Sequence, residues 1–228
     1  MLKVLLGKVS PSSPELAPLF SDCTHVAAAR VRDCLLFLDP ENRFHPSAKS
    51  LREIFLMAYI HCSIRHNLPN SFKCTVMTPE QRTLLGVDWV WTVLDGATRL
   101  PRIQMAVRVL HQAHRNGENE DLSESMQIAH MESSGLTYEE RIVRFCTAVG
   151  RDCYTLFLLF GRKADPHNVY GVLSNNFQAA VGKLARIDQD FIENFFRGSR
   201  SFVTPEWMLK SALNTRGDAP LTMLIRFS

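Results

Sequence analysis

The chain has 228 residues, 46% of them hydrophobic and 21% charged, enough to bury a full core in an ordinary globular protein. A formal charge of +3, with lysine and arginine spread along the chain and no basic run, is too small to argue for a nucleic-acid partner. The six cysteines, Cys23, Cys34, Cys62, Cys74, Cys146 and Cys153, show no framework spacing and fit reduced, buried thiols of a cytosolic protein.

Residues 1–9 read as an edge strand or a tail. Their apolar run is short for a signal peptide and contains Lys3. No apolar stretch reaches membrane-spanning length, because Asp88 interrupts the longest one. The Met-Leu start offers no myristoylation glycine and the end no prenylation cysteine, so direct membrane insertion is not expected. SPSSPELAP (10–18) reads as a linker, and Val26, Ala29, Val31, Leu35 and Leu38 predict a helix over 22–38, stopped by Asp39-Pro40. Ser50 and Glu53 predict a capping box for a helix over 51–66.

The stretch TPEQRTLLGVDWVWTVL (78–94) opens with Thr78, Pro79 and Gln81, a capping box with proline at the first helical position. The nearly unbroken apolar run behind it extends the predicted helix to Leu94. On such a helix Trp89 and Trp91 point about 200° apart. Either the helix is sandwiched inside the domain, or one tryptophan faces a partner. Asp95-Gly96 ends it, and Ile103, Ala106, Val107 and Leu110 predict another helix from Pro101 towards Asn116-Gly117.

An acidic stretch (118–134) reads as a flexible insert or a weak helix. Thr137 and Glu140 predict a capped helix, and CYTLFLLF (153–160) with VYGVL (169–173) predicts a hairpin, a short buried helix being the alternative for 153–160. Helices are expected over 176–186, 189–196 and 204–213. Leu221, Met223, Ile225 and Phe227 alternate with their neighbours as a final strand. The resulting expectation is one compact domain over 1–228, mainly α with a small antiparallel β-sheet (α+β).

No constellation announces chemistry. Gly7-Lys8 and Gly182-Lys183 lack the rest of a P-loop, and no metalloprotease, nucleophile-elbow or dinucleotide motif occurs. No cysteine pair has zinc-ligand spacing, His111 and His114 lack a third ligand, and Arg216-Gly217-Asp218 reads as the turn before the last strand. No catalytic residue, metal site or cofactor is therefore expected.

Four segments, in order, carry a resemblance: SLREIFLMAYIHC (50–62), LLGVDWVWT (84–92), IQMAVRVL (103–110) and FCTAVGRDCYTLFLLFG (145–161). Over roughly 45–165 the chain resembles the Rab-fifteen effector protein family, with Trp-x-Trp and Gly-x-Asp-Cys as its specific elements. The resemblance implies a non-enzymatic adaptor that binds GTP-bound Rab GTPases in endosomal recycling or vesicle traffic. It implies a cytoplasmic protein recruited to endosomal membranes through its partner. It carries over no contact residue, and the oligomeric state stays open. From the residues alone, Val87, Trp91 and Leu94 on one face of the tryptophan helix, with Arg102 and Met105 on the next, are the expected partner-binding set. The rival expectation is a small enzyme with a pocket around Asp88, His61 and Cys62.

Overall fold

The computed structural model describes residues 13–41, 43–111, 128–129, 131–132, 135–162, 164–181, 186–197, 199, 201–215 and 219–228. In chain order its elements are α1 (Ser13–Leu35), α2 (Ala48–Arg65), a 3-10 turn (Leu68–Asn70), β1 (Phe72–Val76), α3 (Pro79–Leu85), β2 (Trp89–Leu94) and β3 (Pro101–His111). Then come α4 (Tyr138–Val149), β4 (Cys153–Arg162), β5 (Asp165–Ser174), α5 (Phe177–Val181), α6 (Gln189–Asn194), α7 (Pro205–Asn214) and β6 (Thr222–Arg226).

The strands form one six-stranded sheet in the spatial order β1-β2-β3-β4-β5-β6. Neighbours are antiparallel except β3 and β4, which run parallel. Side chains alternate across it. Trp89, Trp91, Met105, Val107, Leu156, Leu158 and Ile225 pack under α1, α2 and α7. Val90, Ala106, Leu110, Phe157, Leu159 and Val172 pack under α4 and against Phe177, Ile187, Ile192 and Phe196.

This overturns the expectation of a mainly helical domain with a small antiparallel sheet. The stretch 78–94 is not one helix. Its capping box and Pro79 start α3 as predicted, but Gly86 ends that helix in the left-handed region at φ 69°. A Cβ on Gly86 would overlap the Tyr138 carbonyl, so the backbone turns there at a residue only glycine can supply. Val87, Val90, Thr92 and Val93 then favour extended backbone. All six residues of β2 are buried, because helices cover both faces of a central strand. A strand of that kind loses its period-two signature and reads like a buried helix. The segment 101–111, expected helical, is β3 for the same reason.

Elsewhere sequence and structure agree more closely. The Thr137–Glu140 capping box, the 153–173 hairpin, a Thr204-capped helix and the last strand are all present. The cap of α2 is Ser47, not Ser50; the Ser47 side chain accepts from the Ser50 N–H. α1 starts at Ser13, inside the segment expected as a linker, and carries Pro18. Proline at the sixth helical position forfeits one backbone bond near the frayed end, while Leu16, Ala17, Phe20 and Cys23 are buried against the sheet. Most of 118–134, the start 1–12 and Arg216-Gly217-Asp218 lie outside the described residues.

Candidate partner-binding surface

The five residues expected to grip a partner do not share a surface. Val87 belongs to the core under α4, whereas Trp91 and Met105 are register partners in the core under α1 and α2. All three have no exposed surface, and Leu94 is 7% exposed. Only Arg102 of the five is exposed, and its Nη2 donates to the Leu213 carbonyl at 3.1 Å. The strand period explains this. Trp89 and Trp91, two apart, point to the same side and meet at 5.6 Å between ring centroids.

Asp88 is buried, and its position shows why a carboxylate is tolerated there. β3 runs past the start of β2, so the Val109 N–H has no β2 carbonyl opposite it; Asp88 Oδ2 accepts it at 2.8 Å. Arg52 of α2 and Arg108 of β3 flank the carboxylate at 3.3 and 3.6 Å. Burial of Arg52 pulls its pKa down, and the Asp88 charge opposes that shift. The enzyme reading required Asp88, His61 and Cys62 in one pocket. His61 is exposed and Cys62 buried, nine and ten residues beyond Arg52 on the same helix, which is about 13–15 Å along its axis. The cavity of about 180 Å³ beside Arg52 and Arg108 is lined by neither His61 nor Cys62.

The cysteines are all free thiols. Burial and hydrogen bonding to Cys62 raise Cys23, and burial lifts Cys74 to about 12. Cys146 is lowered, chiefly because the Cys153 thiol donates to it. Among the described residues no group of three His, Cys, Asp or Glu side chains could hold a metal ion. No described helix is long and apolar enough to cross a membrane.

Exposed apolar surface gathers at a different place, the corner between α1 and α2. Leu36, Phe37, Leu38 and Phe44 are all exposed there, Leu38 by 84% and Phe44 by 62%. The Phe37 and Phe44 rings meet edge to face at 6.0 Å. Between the helices lies a groove of about 330 Å³ whose walls include Cys34, Phe37, Phe44, Pro46 and Ile54. The connecting loop is held by Asp39, whose carboxylate accepts the N–H groups of Glu41, Arg43 and Phe44 at 3.2, 2.6 and 2.9 Å. These bonds hold the Asp39 carboxyl below the usual carboxylate range, the Arg43 bond contributing most. Beyond Ile54, Met57 and Ile64 continue the apolar line along the outer side of α2, both more than 60% exposed.

Two comparisons bear on what such a surface meets. The family described as Rab15 effector matches residues 8–221. The chain belongs to the Rab15 effector family. A relative, the Rab15 effector protein of Mus musculus, is 26% identical over 190 residues, which is 83% of this chain and 81% of the relative. The family match takes in α1, α7 and the residues up to the last strand, well beyond the 45–165 span that carries the sequence resemblance.

The corner is hidden in the sequence because 22–38 reads as one amphipathic helix. The helix ends at Leu35, so Leu36, Phe37 and Leu38 leave it as three consecutive large apolar residues. Such a run cannot lie on one helix face, and Phe44 follows inside a loop. Those two anomalies were the available signal.

Proposed function

We propose that this chain binds Rab GTPases in their GTP-loaded form and serves as an adaptor in endosomal recycling or vesicle traffic, reaching the membrane through the Rab. It carries no chemistry of its own in this reading, and the Rab is its obligate partner. The observation that carries it is membership of the Rab15 effector family across residues 8–221. An effector must tell two nucleotide states apart by differential affinity, because a ligand that binds both states equally shifts nothing. In a GTPase that difference lies in the switch segments, which the γ-phosphate and its magnesium order. A rigid surface with apolar anchors and a polar rim suits that task.

The test uses purified chain and a panel of purified Rab proteins, each loaded with GDP or a non-hydrolysable GTP analogue. At least one Rab should be retained in the GTP-analogue form and at least tenfold less in the GDP form. Retention of none, or equal retention of both forms, sinks the reading.

A further inference from the structure

We propose that the outer face of the α1–α2 corner is the docking surface for the GTP-loaded GTPase, with Phe37, Leu38 and Phe44 as anchors. The groove between the helices receives an apolar side chain of the ordered switch segments. The inference rests on the Rab-binding reading and adds the place of contact.

Area is the first argument. Leu36, Phe37, Leu38, Phe44, Met57 and Ile64 are between 45% and 84% exposed. At about 200 Å² for a fully exposed large side chain, they offer roughly 700 Å² of apolar-rich surface. That approaches the roughly 800 Å² which each partner contributes to a standard-sized protein interface. The exposed His61 separates Met57 from Ile64 on α2, so the continuous part is the corner itself. There Leu36, Phe37, Leu38 and Phe44 give roughly 470 Å², a patch of the size that on monomers is often functional.

Preorganisation is the second. Three backbone bonds to Asp39 fix the loop that carries Phe44, and the Phe37–Phe44 contact fixes one wall of the groove. Little ordering entropy is left to lose when a partner arrives. The surface is also independent of the core. α2 turns Leu51, Phe55, Tyr59 and Cys62 inward and Met57 and Ile64 outward, while the half-buried Ile54 packs against the core and forms a wall of the groove. Exposed charges of both signs surround it: Asp33 beside Arg30 on α1, and Glu41 paired with Arg43 at 3.0 Å in the loop. An apolar centre with a polar rim is the anatomy of an interface formed with a folded partner.

The experiment compares the wild type, a Leu38→Glu/Phe44→Glu double variant and a Val149→Glu control, whose site lies on α4 across the sheet. Each is titrated with the Rab that the panel identifies, loaded with GTP analogue. The double variant should melt within a few degrees of the wild type and bind about thirtyfold or more weakly, while Val149→Glu binds normally. If the wild type binds no GTP-loaded Rab, the functional reading itself is wrong. If it binds and the folded double variant binds within threefold of it, only the docking surface is wrong. Should the double variant unfold, amide exchange on the wild-type complex decides. Slowed exchange across 30–45 supports the surface, and unchanged exchange there overturns it. Sedimentation covers the remaining occupant: a wild-type dimer that the double variant dissolves, with Rab binding intact, would assign the corner to a second copy.

Discussion

Truncating Trp91 to alanine separates the core assignment from the interface assignment. The Trp91 ring has no exposed surface and meets Tyr59 at 5.0 Å, Phe20 at 5.1 Å and Trp89 at 5.6 Å between centroids. A buried tryptophan removes about 250 Å² from water, worth about 6 kcal/mol at 25 cal/mol per Å². Partial burial in the unfolded chain trims that to about 4–5 kcal/mol, within the range of about 3–5 kcal/mol seen for such truncations. A loss of about 4 kcal/mol lowers the melting temperature of a chain of this size by roughly 8–16 °C. Trp89→Ala should cost a similar amount, since both rings sit in one cluster. Urea denaturation followed by far-UV circular dichroism measures both. A Trp91→Ala protein that melts with the wild type yet fails to bind a GTP-loaded Rab would refute the reasoning and restore Trp91 as a surface anchor.

Gly86→Ala combines a positive φ with overlap of the Tyr138 carbonyl and should cost about 2 kcal/mol or more, read as a lower urea midpoint; a midpoint equal to wild type refutes it. Asp88→Ala strips the acceptor from the Val109 N–H and leaves Arg52 and Arg108 facing each other, at a cost of about 3–5 kcal/mol, whereas Arg52→Met with Asp88→Asn together should recover much of it in the same assay. The folded-state pKa of Asp39 lies below its unfolded value, so its grip on the loop is complete above about pH 4 and is lost as pH falls through the folded value; protection of the Arg43 and Phe44 amides should drop across that window in the wild type, and Asp39→Asn should abolish the dependence. With six free thiols, reducing agent should leave the melting temperature unchanged, and a fall of many degrees would reveal structural disulfides.

What was legible in the sequence was local. The caps at Thr78, Thr137 and Thr204 are readable because each threonine hydroxyl accepts an N–H within one turn. Gln81 or Glu140 accepts the cap N–H at the first two, and Pro79 or Pro205 removes an N–H that would have no partner at the first and third. The 153–173 hairpin and the last strand show β-rich runs bounded by turn residues. The central strands were not legible, because Trp89–Leu94 and Ile103–Leu110 are covered on both faces by elements far away in the chain. Their periodicity is erased by α1, α2 and α4, which lie more than twenty residues away in the chain from the central strands. Gly86 was the residue to weigh: a glycine between two apolar runs marks a helix C-cap as readily as a helix interior, and only the close approach of Tyr138 decides it. The expected partner-binding set inherited that misreading, since a face computed at 100° per residue has no meaning on a strand.

If the corner docks the Rab as proposed, α2 divides holding the fold and meeting the partner between its two sides. α2 faces the sheet through Leu51, Phe55 and Tyr59 and faces outward through Met57 and Ile64. Positions on opposite sides of a helix share few neighbours, so changes on the outer side add to stability nearly independently of the inner side. The outer residues can therefore vary in size and polarity without loosening the Trp89–Trp91 cluster beneath. On the proposed docking, partner choice shifts through the corner while the sheet stays as it is. Exchanging 36–44, Met57 and Ile64 for the residues of the Mus musculus relative should accordingly leave the melting temperature within a few degrees and give the chain the relative's pattern of binding across the Rab panel. A swap that unfolds the chain, or leaves the preference untouched, places the choice of partner elsewhere on the molecule.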